Sequence, residues 1–184
     1  MLYRICLLTA DSGKDASGLF KDPDLPGHFY AAPYALFEPE LCFVATYNNN
    51  PCGYILGTKD SKRFADWCEN KWLPPLRLRY EFPGENDSSL DAAIIRRIHS
   101  GHIVKKELAD YPAHLHIDIL PEGQGQGLGR KLMNTFVNKL KELKVPALHL
   151  EVGKRNTVAV KYYEKMGFHI ITEYEFSIVF GMNL

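Results

Sequence analysis

An α/β fold is what this sequence predicts, on three observations. From about residue 113 onward, apolar runs of strand length alternate with segments of helical periodicity, in the order strand, helix, strand, helix, strand. Leu41 to Tyr47 and Gly53 to Thr58 are two apolar runs joined by Asn48-Asn49-Asn50-Pro51-Cys52, a hairpin signal. Between the strands of the second half, a glycine-rich turn opens directly into a long amphipathic helix.

Taken in order, residues 2–8 read as a first strand, and Asp11-Ser12 is placed to cap a short helix reaching about Leu19. Pro23, Pro26, Pro33 and Pro39 predict irregular chain from Asp22 to Pro39, where Phe29, Tyr30, Tyr34 and Phe37 supply an aromatic surface. Such a loop serves equally as a lid on the core or as one wall of a ligand pocket. After the hairpin, a long stretch from about 60 to 112 carries one helix over Arg63–Trp72, ended by Pro74-Pro75. A second helix covers Ser89–Ser100 with a cap at Ser88. His114 to Leu120 is a strand. Over Leu128–Lys144, Leu128, Leu132, Met133, Phe136, Val137, Leu140 and Leu143 share one face of a helix that Pro146 stops. Ala147–Val152 is a strand, Asn156–Met166 a short helix ended by Gly167, and Phe168–Tyr174 with Phe176–Met182 a closing pair of strands.

Composition narrows the function. The chain has 184 residues, and Lys plus Arg, 22, equals Asp plus Glu, 22, so there is no broad field to gather nucleic acid or an anionic membrane. No apolar run reaches the roughly 18–20 residues that span a bilayer. The apolar N-terminus is short and lacks a basic leader. Four cysteines without CxxC spacing argue against a disulfide framework or a metal site and for a cytoplasmic setting.

The chemistry lies in Leu120-Pro121-Glu122-Gly123-Gln124-Gly125-Gln126-Gly127-Leu128-Gly129-Arg130, a strand-to-helix turn with four glycines. Glycine permits positive φ and close backbone approach. The first amides of the helix have no internal partner and sit at the positive end of its dipole, so the turn suits a pyrophosphate. Arg130-Lys131 does not supply the Gly-Lys-Ser/Thr of a P-loop. A dinucleotide fingerprint usually follows the first strand of its fold, whereas this turn comes about two-thirds along the chain.

Gln124-Gly125-Gln126-Gly127-Leu128-Gly129 resembles the Q/R-x-x-G-x-G/A signature of the GNAT family of N-acetyltransferases. Asn156-x-x-Ala159-x-x-x-Tyr163-Glu164-Lys165-x-Gly167-Phe168 resembles the same family, in the expected order. Together they cover about residues 113–175. Glu40-Leu41-Cys42-Phe43-Val44, Cys52 to Thr58, Phe64 and Trp67-x-x-x-x-Trp72-Leu73-Pro74 are similar to the acetyltransferase-like domain that ends eukaryotic O-GlcNAcases. The resemblance implies one GNAT domain over 1–184: a mixed, mostly antiparallel, splayed sheet flanked by helices. The segment at about 60–112 would be a helical insertion before the fourth core strand.

The resemblance also implies roles. Acetyl-coenzyme A would be the cosubstrate and an amine-bearing molecule the acceptor, with direct transfer in a ternary complex. Backbone amides from about Gln124 through Gly125, Gln126, Gly127 and Leu128 to Gly129 would hold the pyrophosphate. Backbone at Ile119 and Leu120 would take the pantetheine arm, and the Ile119 amide would polarise the thioester carbonyl. Asn156 would bond the pantetheine or cap its own helix. Tyr163 would protonate the departing thiolate, unless it packs as Tyr162 does. For the base, His114, His116 and Asp118 alternate along one strand and share a face. Asp118, nearest the expected thioester, is the first choice as base or as anchor for a cationic amine. His116 is second, Glu151 a weaker candidate, and His114 reads as a polar residue of the strand face. No metal is implied. Exposed aromatics in the insertion suit a homodimer contact. A second reading stays open: a non-catalytic acyl-coenzyme A-binding or interaction module.

Overall fold

The computed structural model describes all 184 residues. Its centre is a six-stranded sheet in the order β1-β2-β3-β4-β6-β5. The strands are β1 (Cys42–Tyr47), β2 (Asn50–Thr58), β3 (Ala113–Ile119), β4 (Ala147–Gly153), β5 (His169–Glu173) and β6 (Ser177–Asn183). All neighbours are antiparallel except β3 and β4, which are parallel. This is the mixed, mostly antiparallel sheet that the resemblance implies.

Residues 2–8 form a helix, α1 (Leu2–Leu7), where a strand was expected. A short apolar run cannot be told from a buried helix by periodicity. Here Ile5 and Cys6 are buried with Leu2 packed beside them, an i, i+3, i+4 stripe, and Thr9 Oγ1 donates to the Ile5 carbonyl at 2.8 Å. The strand carrying His114–Ile119 is therefore the third, not the fourth. No helix follows Asp11; that stretch turns through an Asp11–Lys14 bridge, with Ser12 and Gly13 at positive φ.

The prolines behave differently from expectation too. Pro26 and Pro33 lie in the first turns of α2 (Leu25–Tyr30) and α3 (Ala32–Phe37), where no backbone N–H is needed. Pro74 likewise opens α5 (Leu73–Arg79) instead of ending its predecessor. The chain passes from α4 (Ser61–Trp67) through a π-turn, Cys68–Trp72, directly into α5. The next helix, α6 (Leu90–Ser100), is capped by Ser89, whose hydroxyl accepts from the Ala92 amide, rather than by Ser88. The long amphipathic helix is α7 (Leu128–Glu142) and the short one α8 (Thr157–Lys165).

Alternation along the strands sorts two cores. Ile55 and Leu115 pack with Leu132, Met133, Phe136 and Leu140 of α7 on one face. Tyr54 and Leu56 face the other way and pack with Ile5, Leu25, Tyr34, Phe64, Leu73 and Ile98, contributed by the N-terminal helices and the helices between β2 and β3. At Gly57 a Cβ would stand 2.4 Å from Phe136 Cζ and 2.4 Å from the His114 carbonyl, so only glycine lets α7 lie this close to the sheet. No helix is long and apolar enough to cross a membrane.

Candidate active site

β3 and β4 part company. They pair only at Ala113–Leu148 and His114–His149, whereas β2–β3 runs through six residue pairs and β4–β6 through seven. The gap opens into a cavity of about 950 Å³, bounded by the second half of β3, the glycine turn, β4, α8 and the N-terminal segment. The Leu120 amide donates to the Cys52 carbonyl at 2.7 Å, which fixes the alternation of the antiparallel ladder. Residues 118, 116 and 114 then bond to β2, and the peptide groups of Ile117 and Ile119 point into the gap.

The glycine turn presents donors. None of the six amides from Gly125 to Arg130 donates to any acceptor in the protein. Gly125 and Gly127 are both at φ +73°, the left-handed region, and Gly127 is the residue from which α7 starts. A Cβ at either glycine meets no protein atom within 4 Å, so the space before them is open. Successive free amides at a helix start make an anion-binding concavity.

Gln124, expected in this run, and Leu120, expected with Ile119 at the pantetheine arm, have their amides engaged within the protein. The Gln124 amide is spent on the Pro121 carbonyl at 3.1 Å, and its side chain donates to the Ile119 carbonyl at 2.8 Å, closing the turn. Leu120 gives its amide to Cys52, accepts from Gly123 at 2.9 Å, and buries its side chain. A short one-turn helix at Pro121–Gly123 makes these bonds, and nothing in the glycine spacing announces it. Gln126 contributes a free amide, but its side chain does not line the cavity. Gly125, Gly127, Leu128, Gly129 and Ile119 all line it.

On β3, His114, His116 and Asp118 share the face toward α1–α3. Asp118 accepts from the Tyr54 hydroxyl at 2.6 Å. Burial raises its carboxyl above the usual range against the pull of that bond. The ring of His116 meets Tyr30 edge-on at 5.5 Å, and its Nε2 lies 3.1 Å from the Tyr34 hydroxyl. Burial, helped by His149, pushes His116 down to about 4, so it is neutral at pH 7. His114 is held at both nitrogens, by Ser61 Oγ at 2.7 Å and Tyr34 at 2.8 Å.

From α8, Tyr163 is buried against Phe168 and Phe180, and its hydroxyl has no partner in the protein. Burial first, and then the Asp118 charge, raise its phenol, so it stays protonated. Tyr162 by contrast donates to the Gly129 carbonyl at 2.9 Å, bracing the turn. Asn156 caps α8, with Oδ1 accepting from Ala159 at 3.1 Å, and also lines the cavity. Glu151 lines it too, but its oxygens are taken by Lys105 at 2.8 Å and Ser177 at 2.6 Å. Burial opposes ionisation there, and those two bonds outweigh it, holding Glu151 below the usual carboxylate range.

Sequence reading missed one wall. Cys6, Thr9, Ala10, Ser12, Gly13 and Lys14 line the cavity, and they were hidden by the strand expected at 2–8 and the helix expected after Asp11-Ser12. Tyr30 also lines it, as the aromatic 22–39 segment allowed.

Residues 92–168 match the model of the Acetyltransferase (GNAT) family. The chain is 39% identical to the solved structure of SsHAT, with a TM-score of 0.90, covering 99% of this chain and 91% of that one. It is 26% identical over 177 residues to the protein O-GlcNAcase of Rattus norvegicus, which is 95% of this chain but 19% of that protein's length. It is 35% identical over 65 residues to the [ribosomal protein bS18]-alanine N-acetyltransferase of Haemophilus ducreyi, 35% of this chain and 45% of the relative. The chain belongs to the GNAT acetyltransferase family.

Proposed function

We propose that the whole chain acts as one GNAT domain that moves the acetyl group of acetyl-coenzyme A to an amine by direct attack in a ternary complex. The observation that carries this is the run of six unpartnered amides, Gly125 to Arg130, at the mouth of a cavity that continues into the β3–β4 gap. On this reading the amides and the α7 dipole hold the diphosphate. The pantetheine arm lies in the gap, and the Ile119 amide polarises the thioester carbonyl, an oxyanion-hole role. The amine lone pair attacks the carbonyl carbon and a C–N bond forms. The C–S bond then breaks, and sulfur leaves with the electron pair and takes a proton from Tyr163. Asp118, a carboxylate on the inner wall, anchors the amine or takes its proton.

The alternative is a module that binds acyl-coenzyme A without turning it over. It gives no account of a phenol left without a partner inside the cavity, and so is less well supported. Isothermal titration with acetyl-coenzyme A, followed by thiol release over a panel of lysine peptides, amino sugars and polyamines, tests the reading. Binding with turnover on one class is expected. Binding without turnover on any amine sinks the catalytic reading and leaves the module.

A further inference from the structure

The helices between β2 and β3 reach the histidines of β3 through a hydroxyl that no glycine or tyrosine motif includes. Ser61, first residue of α4, donates its hydroxyl hydrogen to the Pro112 carbonyl at 2.7 Å and lies 2.7 Å from His114 Nδ1. His114 Nε2 lies 2.8 Å from the Tyr34 hydroxyl, which lies 3.1 Å from His116 Nε2. Four groups in series thus link a backbone carbonyl to the cavity wall.

Such a series has two directions, because each hydroxyl has one hydrogen and each neutral imidazole has one N–H. In the first, Ser61 donates to Pro112 and accepts from His114 Nδ1–H. Tyr34 donates to His114 Nε2 and accepts from His116 Nε2–H. All four contacts are then hydrogen bonds. In the second, Ser61 donates to His114 Nδ1, so the Pro112 contact of its hydroxyl is lost and three bonds remain. The first direction is favoured by one bond. It places the His116 hydrogen on Nε2. The Nδ1 of His116 then carries a bare lone pair; it has no partner in the protein and is not sealed off, since His116 lines the cavity.

We propose that Ser61, His114 and Tyr34 form a one-way hydrogen-bond chain that holds His116 in its Nε2–H tautomer and presents Nδ1 to the cavity as the proton acceptor for the attacking amine. The proposal rests on the acetyl-transfer reading and divides its labour: Asp118 anchors the amine, and His116 takes the proton. The amine nitrogen forms the C–N bond, its surplus proton passes to His116 Nδ1, and the C–S bond breaks as Tyr163 protonates the sulfur. His116 then releases its proton to solvent and Tyr163 regains one. The sum is acetyl-coenzyme A plus amine giving acetamide plus free thiol. The groups around the His116 ring are the aromatic rings of Tyr30 and Tyr34, with His102 and His149 nearby, and burial among them keeps the imidazole neutral at pH 7. Ser61, His114 and Tyr34 are positioning residues, since they act only through His116.

The test labels histidine nitrogens in the full chain and reads which ring nitrogen of His116 bears hydrogen, from two-bond proton–nitrogen spectra at pH 7. His116→Gln assigns the signal. The expected wild-type result is a bare Nδ1. Losing the one-bond advantage, a bias of about five-fold, should turn the spectrum of Ser61→Ala into a mixture of both tautomers, and Ser61→Thr should restore it. In thiol release with the amine that the panel selects, Ser61→Ala should lose about two-fold in kcat and Tyr34→Phe on the order of ten-fold, a fraction of what a positioned base supplies. The KM for acetyl-coenzyme A should stay within about two-fold in both, because neither residue lies at the phosphate turn. A wild-type His116 protonated at Nδ1, or a tautomer unmoved in both Ser61→Ala and Tyr34→Phe, overturns the chain while leaving acetyl transfer standing. Failure of the wild type to bind acetyl-coenzyme A overturns the transfer reading and the base role together, whatever tautomer is seen.

Discussion

Gly127→Ala separates the backbone role of the glycine turn from its role as a ligand cradle. Gly127 sits at φ +73°, and a Cβ there meets no protein atom within 4 Å. The folded protein therefore has no clash to relieve, only the left-handed penalty of about 1–2 kcal/mol for a residue with a side chain. For a chain of this size that lowers Tm by roughly 2–8 °C. Alanine relieves the penalty by rotating its peptide units, which swings the amides at 127 and 128 out of line. Each lost charge-assisted bond to a phosphate oxygen is worth about 1.5–3 kcal/mol. Losing one weakens acetyl-coenzyme A binding by roughly 10- to 150-fold. Gly167→Ala is the matched control: φ is +89°, a Cβ again meets nothing within 4 Å, and the residue, just past the end of α8, does not itself line the cavity. It should show the same fall in Tm with unchanged affinity. Calorimetric titration of both variants with acetyl-coenzyme A, beside thermal melts, gives the comparison. If Gly127→Ala binds within about three-fold of Gly167→Ala, the turn does not hold the diphosphate and the argument from free amides is wrong.

Three further outcomes follow from the site. Tyr163→Phe should lower kcat by about 10- to 100-fold with acetyl-coenzyme A affinity unchanged, since the hydroxyl has no structural partner to lose; unchanged kcat would remove it as the acid. Glu151→Gln should keep kcat within about two-fold, because its oxygens are engaged by Lys105 and Ser177, and a partly exposed pair of this kind contributes under about 1 kcal/mol. Acid should destabilise the protein through its buried histidines. A histidine whose folded pKa is depressed binds fewer protons in the native state, so its contribution is complete above the unfolded value near 6.5 and is lost as pH falls toward the folded one. For His116, held down to about 4, that loss is about 3 kcal/mol by pH 4, and His102, held down to about 3, adds to it. Urea midpoints at pH 7, 5.5 and 4.5 should fall steadily, and His102→Gln should flatten the slope; an unchanged slope would mean that the ring is not buried neutral.

What was legible in the sequence is what is local. The Leu128–Glu142 helix, its glycine turn and the Asn156 cap each lie within one stretch of chain, where periodicity and capping chemistry report directly. The face shared by His114, His116 and Asp118 follows from strand alternation alone. What was not legible depends on distant partners. Leu2–Leu7 is helical because Ile5 and Cys6 find a core made by residues from 25 to 120, which no propensity in a short apolar run can reveal. Pro26, Pro33 and Pro74 read as breaks but serve as helix starts, since a proline forbids a helix only after its first turn. The Gln124 amide is taken by a local bond to Pro121, and the Leu120 amide, expected beside the pantetheine arm, by a bond to Cys52 that depends on the hairpin's register.

The same division explains why the acetyl donor side is easier to read than the acceptor side. On the proposed reading, donor groups come from β3, α7 and α8, which lie close together in the chain with only β4 between the two helices, and need only backbone amides and one phenol. On the acceptor side, Ser61 reaches His114 across 53 residues and Tyr34 reaches His116 across 82, with Tyr30 closing over the ring. These side chains present neutral imidazoles, phenols and aromatic edges, and Asp118 supplies the carboxylate on that wall. Lys14, Arg130 and Lys165 line the same cavity. If acetyl transfer proceeds as proposed, these cations meet the polyphosphate, and the one unpaired inner carboxylate favours an acceptor that carries a single amine and little other charge near it. A polyamine would bring a second cation with no carboxylate to meet it, apart from a Glu151 already paired with Lys105. Freeing that carboxylate with Lys105→Ala should therefore improve a diamine's kcat/KM relative to a monoamine's by several-fold. An unchanged ratio in a side-by-side thiol-release assay would show that charge pairing on this wall does not select the acceptor.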